Sequence, residues 1–105
     1  MWSLGCVFYE LVTGKPLIIS ESETDHLMKI FKIFGTPNEE NFKDLNKCKG
    51  FNKTLFPNII KQDTSEIFRK FHQDELAYDL LKRLLILDPF KRIQAKECLD
   101  HPFFN

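Results

Sequence analysis

Leu4, Val7, Phe8 and Leu11 recur at the i, i+3, i+4, i+7 spacing of one helical face, and Gly14 followed by Pro16 stops the run. The pattern predicts a first helix that turns these four side chains inward. Met1, Trp2, Cys6 and Val12 set apolar groups on its other sides, so this helix asks for burial all round. Further on, Ser22 stands as an N-cap ahead of Glu23 and Asp25, whose charges suit a helix start. The helix it opens carries Leu27, Ile30, Phe31 and Phe34 inward and ends at Gly35. Thr36, Pro37 and Glu39 then read as a cap, a first helical position and a capping box, predicting a short helix through Phe42.

Residues 43–73 lose the periodicity, and Asn46, Gly50, Asn52, Pro57 and Asn58 mark loops. One short helix near Ser65 to Phe71 is expected within this connection, whose length is unusual for a compact domain. From Asp74, the positions Leu76, Leu80, Leu84 and Leu87, with Leu81 beside them, write an amphipathic helix that Asp88-Pro89 is expected to terminate. A last helix over Ala95 to Leu99 precedes His101-Pro102. No segment reads as a convincing strand, so the expected class is mainly α with no substantial sheet.

Composition narrows the function classes. At 105 residues with 43% hydrophobic and 29% charged positions, the chain has ordinary globular proportions and the length of one unit. Fifteen Lys plus Arg cancel fifteen Asp plus Glu, so no net field steers it to nucleic acid or to anionic lipid. Cys6, Cys48 and Cys98 are odd in number and form no CxxC pair, which points to a reduced, intracellular setting in nucleus or cytoplasm. His26, His72 and His101 lie tens of residues apart without a second ligand at zinc spacing, so no metal is assigned. The apolar opening from Met1 to Thr13 is no signal peptide, since it lacks a basic n-region and a small-residue cleavage site and is broken by Glu10.

Candidate chemistry is sparse. Gly5, Gly14, Gly35 and Gly50 are scattered and make neither a GxGxxG nor a Walker pattern. The carboxylate pairs Glu39-Glu40 and Asp74-Glu75 sit where helix starts account for them. Ser3, Ser20, Ser22 and Ser65 have no His-Asp arrangement near them in sequence, and a triad assembled in space stays open. No catalytic, cofactor-binding or metal-binding residue is therefore named.

Three segments in order carry a resemblance. "WSLGCVFYELVTGKPL" (Trp2 to Leu17) resembles the central helix of the protein-kinase large lobe. "ESETDHLMKIFKIFGTP" (Glu21 to Pro37) looks like the segment that follows it in cyclin-dependent-kinase-like enzymes, and "LLKRLLILDPFKRIQAKECLDHPFF" (Leu80 to Phe104) resembles the end of that catalytic domain. "NKTLFPNIIKQD" between them is similar to the family's insert, whose shortness favours the cyclin-dependent side over the mitogen-activated kinases. The chain thus resembles the C-terminal portion of a protein-kinase large lobe, with residues 1–105 as a partial catalytic domain.

The resemblance implies a parent that transfers the ATP γ-phosphate to protein Ser or Thr with magnesium, and that takes a cyclin as partner. The glycine loop, phosphate-pairing lysine, HRD, DFG and APE motifs lie upstream of this segment in the family, and none is in the sequence. The chain would start inside the family's domain, need the remainder of that domain as its partner, and be inactive alone. Arg92 matches the arginine that pairs with the APE glutamate; the alternative is a solvated surface arginine, and burial without a partner would be costly. Trp2 and Gly5 match positions that pack beneath the catalytic loop, although Trp2 could equally be a generic core aromatic. Glu10 aligns with a glutamate that reads basic substrates in distant kinases, or is a plain helix carboxylate.

One surface carried over is not catalytic. Glu21, Ser22, Glu23, Thr24, Asp25 and His26 match the loop where cyclin-dependent kinases dock a small Cks-type regulatory subunit, with a solvated acidic helix start as the alternative. A non-catalytic interaction module that keeps this surface is the competing functional reading. Ile18-Ile19-Ser20 departs from the family's usual Phe-Pro-Gly just ahead of it, and Gln94 replaces a better-capping Ser, so the last helix should start less firmly.

Overall fold

A computed structural model of the chain describes residues 1–48 and 57–105. The loop signals Gly50 and Asn52, and the first part of the insert-like segment, lie outside the described residues. Four α-helices follow in order: α1 (Trp2–Thr13), α2 (Glu23–Phe34), α3 (Glu75–Leu84) and α4 (Ala95–Leu99). Short 3-10 turns occupy Leu45–Lys47, Arg69–Gln73 and Pro102–Phe104, and no strand occurs among the described residues. No helix among them is long and apolar enough to cross a membrane. The chain divides into two compact units, residues 1–17 with 65–105, and residues 18–64.

In the first unit, α1 ends as expected, with Gly14 at φ 76° giving its N–H to the Glu10 carbonyl at 2.8 Å. The inward face is not the expected one. Gly5 and Tyr9 are buried and Trp2 and Phe8 half-buried, whereas Leu4, Val7 and Leu11 are 48%, 52% and 79% exposed. Two stripes on this helix satisfy the same spacing, and tertiary bonds decide between them. The Tyr9 hydroxyl donates to the Ile67 carbonyl at 2.8 Å, and its ring stacks on Phe71 at 6.0 Å and meets Phe68 edge-on at 5.8 Å. Burial pushes the Tyr9 phenol above its ordinary pKa.

The expected helix near Ser65 to Phe71 takes the form of a turn followed by the 3-10 turn Arg69–Gln73. Its Phe71 is 1% exposed and receives the edge of Phe8 at 5.4 Å, so an irregular connection supplies a central core ring. Asp74 caps α3, accepting from the Leu76 and Ala77 amides at 3.1 Å each. Ala77, Leu80, Leu81 and Leu84 are buried, while Leu76 is exposed on the far side.

Asp88-Pro89 does not end α3; the helix stops at Leu84. The Arg83 carbonyl, which a continuing helix would offer to residue 87, instead accepts the Ile93 amide at 3.1 Å. Asp88 is 2% exposed and holds a turn of its own, with its carboxylate on the Phe90 amide at 3.0 Å and its carbonyl taking the Lys91 and Arg92 amides. At α4 the start is supported from inside, since the Gln94 N–H donates to Glu97 Oε1 at 3.3 Å. Leu80, Leu84 and Cys98 then form a core on which Phe8, Ile93 and Phe103 pack.

In the second unit, Ser22 caps α2 as expected, and Ile30, Phe31 and Ile33 are its buried side chains. The short helix expected from Thr36 is absent. The Thr36 hydroxyl is already engaged, donating to the Pro57 carbonyl at 2.8 Å and accepting the Ile59 amide at 2.9 Å. Asn38 does the local capping instead, its Oδ1 taking the Glu40 and Asn41 amides, and only a turn results. Gly35 supplies the φ of 86° that this joint needs, a backbone region that side chains with a Cβ rarely adopt.

Candidate functional site

Trp2 and Gly5 on α1 meet Arg92, distant in sequence, at one corner of the first unit. A Cβ added at Gly5 would lie 2.6 Å from Leu85 Cδ2 and 3.0 Å from Leu84 Cβ, so the residue is what allows α1 to close on the end of α3. Beyond that contact the chain unwinds, and its free carbonyls are gathered by one side chain. Arg92 donates from Nε to the Ile86 carbonyl at 2.9 Å and from Nη2 to the Leu87 carbonyl at 3.1 Å. Its guanidinium carbon lies 5.4 Å from the centre of the Trp2 ring.

Arg92 is not the solvated surface arginine of the alternative reading, since two backbone carbonyls and an indole face engage it. It is half-buried over an aromatic face, with backbone acceptors in hand. Burial lowers its pKa and nearby Asp88 acts the other way. At this corner Arg92 ties down the backbone of residues 86 and 87.

Glu21 to His26 fold into the capped start of α2. The Asp25 amide donates to Ser22 Oγ at 3.1 Å, the Glu21 amide donates to Asp25 Oδ2 at 3.2 Å, and Ser20 Oγ and His26 Nδ1 are 3.0 Å apart. Lys29 reaches Asp25 at 2.9 Å and also donates to the Ile19 carbonyl. Hydrogen bonding from Lys29, then from the Glu21 amide, holds the Asp25 carboxyl below its ordinary pKa. Ser20, Glu21, Ser22, Glu23, His26 and Leu27 line an open hollow of about 610 Å³. At the departure Ile18-Ile19-Ser20, the Ile19 carbonyl accepts from Lys29 and Ser20 Oγ pairs with His26 Nδ1.

Ser20 and His26 form a pair, but Asp25 faces Lys29 and the Glu21 amide, and no carboxylate orients the imidazole among the described residues. That arrangement falls short of a nucleophilic triad. No group of three or more His, Cys, Asp or Glu that could hold a metal occurs among the described residues. The sequence contains neither a GxGxxG nor a Walker pattern. Glu10 stands exposed on α1, away from any charged partner given by the described contacts.

One cluster escaped the sequence. His101, 6% exposed, joins Asp79 at 2.7 Å through Nε2, and Arg83 reaches the same Asp79 oxygen at 2.8 Å. These bonds, first from His101 and then from Arg83, hold the Asp79 carboxyl below its ordinary pKa. Asp79 and Arg83 stand at i and i+4 on α3, which sequence spacing could have flagged; the tie to His101 crosses 22 residues and left no such signal.

The family model described as protein kinase domain matches residues 1–104. Over 104 residues the chain is 42% identical to cyclin-dependent kinase C-1 of Oryza sativa subsp. japonica and 39% identical to cyclin-dependent kinase C-2 of Arabidopsis thaliana, covering 99% of this chain and 20% of each relative. It is 38% identical to cyclin-dependent kinase B2-1 of Oryza sativa subsp. japonica, over 100% of this chain and 31% of that protein. The chain spans between a fifth and a third of the length of these relatives.

Proposed function

The chain belongs to the protein kinase domain family, with cyclin-dependent kinases among its relatives, and on that premise we propose that its 105 residues are the C-terminal part of the large lobe of a cyclin-dependent-like Ser/Thr kinase. The parent would use magnesium to position ATP and transfer its γ-phosphate to Ser or Thr of a protein, working with a cyclin in nucleus or cytoplasm. These residues would supply scaffold, and the rest of the kinase domain would supply every group that touches substrate. The observation that carries this reading is the match over 99% of this chain against between a fifth and a third of its relatives, in a segment whose own side chains build a clamp. Trp2, Gly5 and Arg92 would brace the floor beneath the parent's catalytic loop.

Purified chain incubated with magnesium, labelled ATP and a generic protein substrate is expected to give no phosphoprotein and to bind no nucleotide. Turnover that survives removal of contaminating kinases, and that Arg92→Ala abolishes, would overturn the proposal.

A second reading is favoured by a specific observation, the ordered and exposed hollow at the start of α2. Glu21, Glu23 and the neighbouring hydroxyls of Ser20, Ser22 and Thr24 offer a surface suited to a small regulatory subunit of the Cks type, so the chain would act by binding. Immobilised chain should then retain such a subunit, and Glu21→Lys with Glu23→Lys should release it. Absence of binding by folded chain would remove this reading while leaving the scaffold proposal standing.

A further inference from the structure

His101 is the one buried imidazole among the described residues, and both of its ring nitrogens are engaged. Nε2 faces Asp79 Oδ2 at 2.7 Å, and Nδ1 faces the backbone nitrogen of Phe103 at 3.0 Å. A backbone N–H can only donate, so Nδ1 must be the bare acceptor and the proton must sit on Nε2, pointing at Asp79. The geometry therefore selects the neutral ring and a single tautomer. The two partners respond to a second proton in opposite ways. Asp79 would gain an ion pair, while the Phe103 amide would lose its acceptor and meet an N–H head-on.

Other groups around the ring do not blur that asymmetry. From α3 the imidazole faces Asp79, which Arg83 also holds; Asp100, the C-cap of α4, directly precedes His101; and Phe103, whose amide faces Nδ1, packs on the uncharged Phe8 ring of α1 at 5.4 Å. Nδ1 holds the first amide of the turn Pro102–Phe104, beside the Phe104 N–H on the His101 carbonyl at 3.0 Å and the Asn105 N–H on the Pro102 carbonyl at 3.1 Å. Phe103 and Phe104 wall an apolar cleft of about 140 Å³ that Leu80, Leu84 and Cys98 floor.

We propose that neutral His101 is a latch on the C-terminal turn, and that its protonation frees Pro102–Phe104 while the ring stays bound to Asp79, opening the apolar cleft over Cys98. The ring remains tied to α3 in either state, so only the turn is switched.

The experiment uses the full chain labelled with 15N. It follows the His101 ring nitrogens and the exchange protection of the Phe103 amide, corrected for intrinsic rate, as the pH is lowered from about 8 to about 5. The Leu84 amide in α3 serves as internal reference. In the wild type, Nδ1 should be unprotonated at the upper end, and Phe103 protection should fall about tenfold in step with the ring titration while Leu84 stays constant, the size expected for one lost hydrogen bond.

Two variants separate the halves of the ring. His101→Asn places an amide oxygen where Nδ1 lies and should keep Phe103 protected across the whole range. His101→Gln places its amide where Nε2 lies and should leave Phe103 unprotected at both ends. Protection that ignores the ring titration in wild type, or a proton on Nδ1 at the upper end, would overturn the latch. So would a His101→Asn profile that tracks the wild type.

Discussion

The corner of Trp2, Gly5 and Arg92 and the turn of Glu21 to His26 are both ordered, but they are built on different length scales. The corner joins residues at the two ends of the chain, through a guanidinium stacked over an indole and a helix approach that only glycine permits. The turn is satisfied almost entirely within itself, its longest bond among residues 20–26 being the one from Ser20 to His26, six positions on. A motif made of neighbours forms wherever its few residues adopt the right backbone. A motif made of distant residues exists only when the core between them is intact, so damage to that core should erase the corner and spare the turn.

Phe71→Ala is the widest way to separate the two. The ring is 1% exposed among Phe8, Tyr9 and their neighbours, and its removal should cost about 3–5 kcal/mol. Denaturant unfolding followed by Trp2 fluorescence should shift by that amount, with the indole leaving Arg92, while exchange protection at the Asp25 amide persists. Equal loss at both places would show that the turn depends on the distant core after all. Gly5→Ala acts on the corner more narrowly. Its new methyl would meet Leu85 at 2.6 Å, so α1 must move off the end of α3, at about 1–3 kcal/mol. Leu85→Ala in the same chain should recover part of that loss, because it removes the atom in conflict.

The same difference in scale explains what the sequence could disclose. The cap Ser22, the stop at Gly14, the start of α3 at Asp74 and the span of α4 all rest on neighbours, and all were legible from residue type and spacing. The buried face of α1 was not, because Leu4-Val7-Leu11 and Trp2-Gly5-Tyr9 both fit a helical period and the choice lies with Ile67 and Leu85. The helix expected from Thr36 failed for a related reason: its capping hydroxyl is spent on the backbone of residues 57 and 59. The end of α3 was misplaced because Ile93 and Arg92, not Pro89, take over the carbonyls that follow. Of the candidate site residues, the Glu21 to His26 turn was visible as a cap with acidic flanks. Trp2, Gly5 and Arg92 were visible only through family resemblance, and the Asp79–His101 tie through neither.

Ser22→Ala tests the local motif from its own side. It removes the acceptor of the Asp25 amide and should cost α2 about 1 kcal/mol, whereas Ser22→Gly should cost only a few tenths. Exchange of the first amides of α2 should rise in the alanine variant with no change at Arg92 or Trp2. A shift in Trp2 fluorescence would mean that the cap of α2 reaches further than its bonds do.

The smallest effect concerns two carboxylates that repeat the contrast in their titration. Asp25 is held below its ordinary pKa chiefly by Lys29, one turn along the same helix, and Asp79 chiefly by His101, 22 residues away, with Arg83 second. A carboxyl whose folded pKa is lowered binds fewer protons folded than unfolded, so its contribution is complete above the ordinary aspartate value and is lost as pH falls through the folded one. The window for both therefore opens near pH 4 and extends downward. Their side chains are 37% and 42% exposed, so solvent screening keeps the Asp79 effect to at most about 1 kcal/mol. Asp79→Asn should flatten the acid limb of urea stability for the core of residues 1–17 and 65–105, because the neutral amide has no proton to gain. Asp25→Asn should leave that limb unchanged and alter only α2 exchange. An acid limb that Asp25→Asn flattens and Asp79→Asn does not would invert the assignment of the long-range tie to the core.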